Sequence, residues 1–310
     1  MSGVCTLFFA IVANAQDINQ AIELNNKGAE AVQAKEWVGA ITQFNLALAV
    51  AQELEEEEAA DMVQQIKDFI PALHLFLGQE LAKEAQIEEA IEQLNKAIEL
   101  AQLYDDFGTT AIDAKKLIDQ LKMKTANDLF NDKKYEEAIV AFQNVLETDP
   151  NNGSIYLYIG VSHAALNNDP KAIEAYQKAI DLGNKDAATR LANLYVTQAN
   201  AANKDKKWAV MNDLAKKALA ITPDNANALK FIGISAFEQK KYDEAIPALE
   251  KTIAANPNAP DKNGIIYRLA QAFEAQNKNS QACAQYKLLL NDATFKQMAE
   301  HKIKNVLKCQ

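Results

Sequence analysis

A four-residue phrase returns along this 310-residue chain. Glu-Glu-Ala-Ile stands at 88–91 and again at 136–139, Pro-Lys-Ala-Ile at 170–173 and Asp-Glu-Ala-Ile at 243–246. Each phrase opens a segment whose apolar residues recur three or four places apart, the spacing of one helix face. Twelve residues before the alanine lies a small residue: Gly28 before Ala40, Gly78 before Ala90, Ala126 before Ala138, Gly160 before Ala172, Gly233 before Ala245, Ala270 before Ala282. Four residues after the alanine comes a large one: Phe44, Leu94, Phe142, Tyr176, Leu249 and Tyr286. Glycine inside a helix costs about 1 kcal/mol relative to alanine, so its return at a fixed place predicts two helix backbones that approach closely. Pro150, Pro223 and Pro257 close segments that cannot continue as helix. With only 10 Gly and 7 Pro in an alanine-rich chain, the turns of a sheet fold lack their residues. The expected class is all-α.

The pattern resembles the tetratricopeptide repeat, a 34-residue pair of antiparallel helices that stacks on its neighbours. Ala138 and Ala172 are 34 residues apart, matching that period. The resemblance implies a superhelical solenoid of about seven helix-turn-helix units. Its packing residues would be Gly28, Ala40, Gly78, Ala90, Ala138, Gly160, Ala172, Tyr176, Gly233, Ala245 and Ala282, with the large residue four places on filling the gap against the next unit. Residues 16–310 read as one solenoid: irregular, longer units over 16–118, regular units over 119–296 and a C-terminal capping helix over 293–308. Apolar periodicity at 57–70 and 109–118 predicts longer or added helices. Pro71 is expected to break or start a helix, since an interior proline costs about 3 kcal/mol. One unit, with Leu191, Ala192 and Tyr195 on its first helix, is distorted. Its Asn200–Lys207 stretch, NAANKDKK, reads as a lengthened loop.

Residues 1–15 have the look of a secretory leader: the apolar run Val4–Val12 precedes Ala13-Asn14-Ala15, with small residues at −3 and −1 before Gln16. No Lys or Arg precedes the run, so a core helix, and with it a cytoplasmic chain, is the alternative reading. Cleavage implies an exported, periplasmic or envelope-associated protein. The apolar run is shorter than the roughly 20 residues of a membrane span. A formal charge of −10, from 32 basic and 42 acidic side chains, argues against nucleic-acid partners. Three Cys are too few for a disulfide scaffold. Cys283 and Cys309 could pair, but a helical hairpin turning near Asn291 would leave them roughly 15 Å out of level, against at most about 7 Å between the Cα atoms of a bridge. Only fraying at the C-terminus would bring them together.

His74, His163 and His301 fall in separate units without the spacing of metal ligands or of an acid–base pair. Glu55–Glu58 reads as a solvated helix start, where carboxylates meet exposed N–H groups. No phosphate loop, nucleophile elbow or dinucleotide fingerprint is present. The expectation is therefore a non-enzyme without cofactor or metal. In the repeat family the concave face is lined by first helices, at positions one after the small residue and two or three before it. Here these are Met123, Lys124 and Asn127; Tyr158; Arg190 and Asn193; Lys230 and Phe231; Tyr267 and Arg268. Aromatic anchors among amides and bases suit a peptide groove, though they also suit an ordinary helix surface. The positions of the clamp that grips acidic chaperone tails carry Asn25 and Ala29 and do not match it. The function implied is a scaffold that holds a protein or peptide. Self-assembly into a homo-oligomer, or service as an accessory subunit of an envelope enzyme or uptake complex, are the alternatives.

Overall fold

The computed structural model describes residues 4–55, 57–104 and 108–309, with the side chains of α1 from Ile18 onward. Among these residues the chain is helical without strands and divides into two compact units, Met1–Thr148 and Asp149–Gln310. Unit 1 holds three hairpins: α1 (Val4–Gln33) with α2 (Trp37–Gln52), α3 (Glu57–Lys83) with α4 (Ile87–Leu103), and α5 (Thr110–Asn131) with α6 (Tyr135–Leu146). Unit 2 holds four: α7 (Gly153–Ala165) with α8 (Asp169–Asp181), α9 (Lys185–Lys204) with α10 (Trp208–Ile221), α11 (Ala226–Glu238) with α12 (Tyr242–Ala255), and α13 (Lys262–Ala275) with α14 (Asn279–Leu288). A short α15 (Lys296–His301) then runs into a π-helical turn, Lys302–Val306. The expected leader, residues 1–15, lies outside the residues whose side chains are described.

Each hairpin turns by the same device. The first helix ends on a left-handed residue: Lys35, Ala85, Lys133, Asn167, Lys206, Lys240 and Asn277, with φ between 56° and 61°. The next N–H then reaches back five residues, as in Lys134 to the Leu129 carbonyl (2.9 Å) and Lys241 to that of Ala236 (2.8 Å), closing carbonyls the helix end leaves open.

Within a hairpin the small residue does what its position implies, with one change of partner. A Cβ on Gly28 would stand 3.0 Å from the Phe44 ring, on Gly78 2.7 Å from Leu94, on Gly160 2.6 Å from Tyr176 and on Gly233 2.7 Å from Leu249. The large residue four places after the alanine thus seats on the glycine of its own hairpin, rather than chiefly filling the gap to the next. Phe44 does both, meeting Phe69 of α3 edge to face at 5.8 Å. Ala40, Ala90, Ala138, Ala172, Ala245 and Ala282 are buried at these crossings.

Three expectations are corrected. Pro71 neither breaks nor starts a helix: it is buried inside the 27-residue α3, which packs against α2, α4 and α5, so tertiary contact outweighs the missing hydrogen bond. Asn200–Lys207 is not a lengthened loop. α9 continues through Lys204 because Ala199 and Ala202 are buried in one cluster with Met211 of α10. Cys283 and Cys309 are joined, their Cα atoms 5.8 Å apart. The segment after α14 is no straight helix: Asp292 Oδ1 accepts from the N–H groups of Thr294 and Phe295, and left-handed Lys308 (φ 48°) folds the Cys309 N–H back onto the Ile303 carbonyl at 2.9 Å. The apolar periodicity at 57–70 and 109–118 becomes the long first helices α3 and α5, and Glu57 and Glu58 stand in the first turn of α3.

Candidate partner-binding grooves

In unit 1 the exposed face of α5 lines a groove of about 820 Å³. Its wall carries Ile112, Lys115, Lys116, Asp119, Gln120, Met123, Lys124, Asn127 and Asp128, residues three and four apart and so on one side of the helix. Met123, Lys124 and Asn127 were expected there. Ile112, Lys115, Lys116 and Asp119 come from the extra turns at the start of α5, ahead of the repeat proper; the same three-and-four spacing carried back through 109–118 would have found them. Ile112 is 68% exposed, an apolar side chain among solvated ones. Lys124 pairs with Asp128 at 2.5 Å, and Asp119 accepts from the Thr148 hydroxyl at 3.1 Å. Lys115 and Lys116 have no carboxylate within ion-pair distance among the described residues.

In unit 2 a smaller groove of about 300 Å³ is lined by Asn227 and Lys230 of α11, Thr252 and Asn256 at the end of α12, and Pro260 and Asp261 before α13. Lys230 pairs with Asp261 at 2.9 Å and its ammonium lies 5.6 Å from the centre of the Phe231 ring. Phe231 itself is 5% exposed. It belongs to the core, its wholly apolar ring buried in one cluster with Met211, Leu249 and Ile266. Tyr158 on α7 and Arg190 and Asn193 on α9 are exposed. Arg268 is half-buried: one Nη donates to the Gly264 carbonyl at 3.4 Å, and Nε faces Glu238 at 3.8 Å, too far for a hydrogen bond. Tyr267 is covered, its ring stacked on Phe295 at 5.0 Å and its hydroxyl against the Met298 sulfur.

The buried polar groups read as structural. His74 is buried and bonded through Nδ1 to Gln93 at 2.8 Å, and burial holds its pKa below the ordinary imidazole value. The Tyr286 hydroxyl donates to Glu274 at 2.8 Å, and burial, together with that carboxylate, drives its pKa far up, so it stays protonated. Among the described residues no three His, Cys, Asp or Glu side chains converge as a metal site requires, and no helix is long and apolar enough to cross a membrane.

Comparison with known proteins agrees with the hairpins. The family model of the cytochrome c-type biogenesis protein H TPR domain matches residues 105–263, and a tetratricopeptide repeat model matches 71–102. The formate-dependent nitrite reductase complex bifunctional subunit NrfFG of Haemophilus influenzae is 27% identical over 143 residues, 46% of this chain and 36% of that protein. The cytochrome c-type biogenesis protein CcmH of Escherichia coli is 25% identical over 150 residues, 47% of this chain and 42% of its own length. The chain thus covers less than half of each of these relatives. Among solved structures, the MamA protein aligns with 61% of this chain and 95% of its own at 23% identity and a TM-score of 0.37. YrrB, a TPR protein described as having an unusual peptide-binding site, aligns with 63% and 97% at 17% identity and a TM-score of 0.39.

Proposed function

The chain belongs to the family of the cytochrome c-type biogenesis protein H TPR domain, and from that premise we propose that it is a non-catalytic scaffold that holds a peptide or protein partner along its first helices. The α5 groove carries this reading. It offers an exposed apolar side chain, Ile112, and Met123 for anchoring, with an amide, Asn127, and three lysines to pair with backbone and charge. Lys124 and Asn127 are contacts within it; Tyr158, Arg190, Asn193, Lys230 and Arg268 are the corresponding contacts on unit 2.

The scaffold works outside the cytoplasm, in the periplasm or at the cell envelope. The Cys283–Cys309 bridge supports that place, since such bonds persist in oxidising compartments, and so does the leader-like stretch at 1–15. A second reading, an accessory subunit of an envelope assembly, is favoured by the names of the relatives: a subunit of a nitrite reductase complex and proteins of cytochrome c-type biogenesis.

The test is capture from native envelope by the full chain and by an Ile112→Asp/Lys124→Glu variant. Both positions are exposed, so the fold should be unchanged by circular dichroism. The variant should lose a partner that the parent retains. Equal capture by both would remove the groove from the interaction. Recovery of only the chain itself, with scattering that grows with concentration, would replace the scaffold by self-assembly.

A further inference from the structure

We propose that the Cys283–Cys309 bridge is a redox latch: its reduction by a dithiol releases the C-terminal cap from α13. The cap covers one stripe of that helix. Asn263 donates to Asp292 at 2.7 Å, the Tyr267 ring stacks on Phe295, and Glu274 accepts from the Lys302 ammonium at 2.6 Å. Residues 263, 267 and 274 share a single face of α13.

Apart from the bridge, the cap is held lightly. Its regular structure is the six-residue α15 and a five-residue π turn. Ala299 is its one buried residue among those two elements, Phe295, Ile303 and Leu307 are partly buried, and Met298 and Val306 remain 42% and 47% exposed. Ordering each residue costs chain entropy, and so few buried side chains do little to offset it. The covalent tie lies beyond both elements, joining Cys309 to α14.

The chemistry of opening follows from exposure. Cys283 is buried, whereas Cys309 is only half-buried. A thiolate of the dithiol attacks Cys309 Sγ, the S–S bond breaks and Cys283 leaves as thiolate. The second thiol of the reductant then attacks the mixed disulfide and closes a cyclic disulfide. Two electrons and two protons pass to the protein, which ends with two thiols, and the dithiol is oxidised. Release leaves the Tyr286–Glu274 bond in place and uncovers Tyr267. That Tyr267 would then extend the partner groove rests on the function proposed above; the latch does not.

Trypsin reads the latch directly, because the cap offers Lys302, Lys304 and Lys308. On the full chain, treatment with dithiothreitol should raise cleavage after Lys302 about tenfold or more, leave cleavage after Lys216 and Lys217 of α10 unchanged, and be reversed by reoxidation. A Cys309→Ser variant should be cleaved like the reduced parent and ignore the reductant. An unchanged rate at Lys302 would overturn the proposal, as would an equal rise at every lysine of unit 2, or a Cys309→Ser chain that still responds to dithiothreitol.

Discussion

A methyl group at residue 160 would stand 2.6 Å from the ring of Tyr176, which is only 3% exposed and has nowhere to move. Gly160→Ala should therefore lose about 1–2 kcal/mol in urea unfolding, the overpacking cost less the helix-propensity gain. Gly264 is the control: the nearest atom to its added Cβ is the Arg268 guanidinium at 3.9 Å, so Gly264→Ala should gain about 0.5–1 kcal/mol. Equal effects at the two sites would mean that close approach is not what the glycine is for. This contact was legible, because glycine weakens a helix interior and belongs there chiefly where a neighbour leaves no room for a Cβ. The left-handed lysines 35, 133, 206 and 240 were not, since lysine carries no turn signal of its own and the Schellman closure recruits whatever residue stands there. His74 gives a pH signature. Its burial disfavours the imidazolium, outweighing the Gln93 bond that favours it, and Lys96 lowers the pKa further. The folded chain thus binds this proton less readily than the unfolded chain, whose value is near 6.5. Stability from His74 is present above that value and lost as pH falls below it, through the folded pKa. A His74→Gln chain should show a flatter fall in unfolding midpoint between about pH 7.5 and 5; parallel profiles would exclude the assignment.

In three hairpins of unit 2 the two helices begin differently. In unit 2, α7, α9 and α11 start on Asn152, Asn184 and Asn225, whose side chains accept from the first free N–H groups. Second helices such as α12 follow the left-handed turn directly and have no side-chain cap. Asn225→Ala, which frees the Ala228 N–H now bonded at 3.0 Å, should cost about 1 kcal/mol, while Lys241→Ala should stay within about 0.5 kcal/mol. Comparable losses would deny that the asparagines start these helices. What was legible at this scale is the hairpin order and the long α3 and α5, because helix periodicity survives any packing partner. The end of α9 was not: its outer residues are polar like a loop, and only the burial of Ala199 and Ala202 on α10 shows it to be helix. The grooves were half legible. Position relative to the small residue places Lys124 and Asn127 on the α5 groove, but the same rule selected Phe231, which side-chain chemistry sends into the core. The bridge escaped because levels along two straight helices cannot register a chain that doubles back at Lys308.

A charge of −10 spread over the whole chain sets self-repulsion against ion pairs that are mostly local. Five of the pairs among the described residues join positions three or four apart on one helix, such as Lys27 with Glu23 and Lys217 with Asp213, and all five are well exposed. Each contributes a few tenths of a kcal/mol at most and is screened by salt. Only pairs such as Lys302 with Glu274 tie separate elements while half shielded from water. Hydrophobic contact between neighbouring helices, which salt does not weaken, carries the rest of the stability. Repulsion among like charges acts over the Debye length, which shrinks from about 30 Å at 0.01 M to about 8 Å at 0.15 M. Adding salt therefore removes a large unfavourable contribution and only small favourable ones. The urea midpoint of the full chain should rise as sodium chloride increases from about 0.02 to 0.5 M, most steeply below about 0.15 M. A midpoint that fell over that range would mean that the ion pairs between elements, and not the buried alanine and aromatic contacts of the hairpins, hold the stacked helices together.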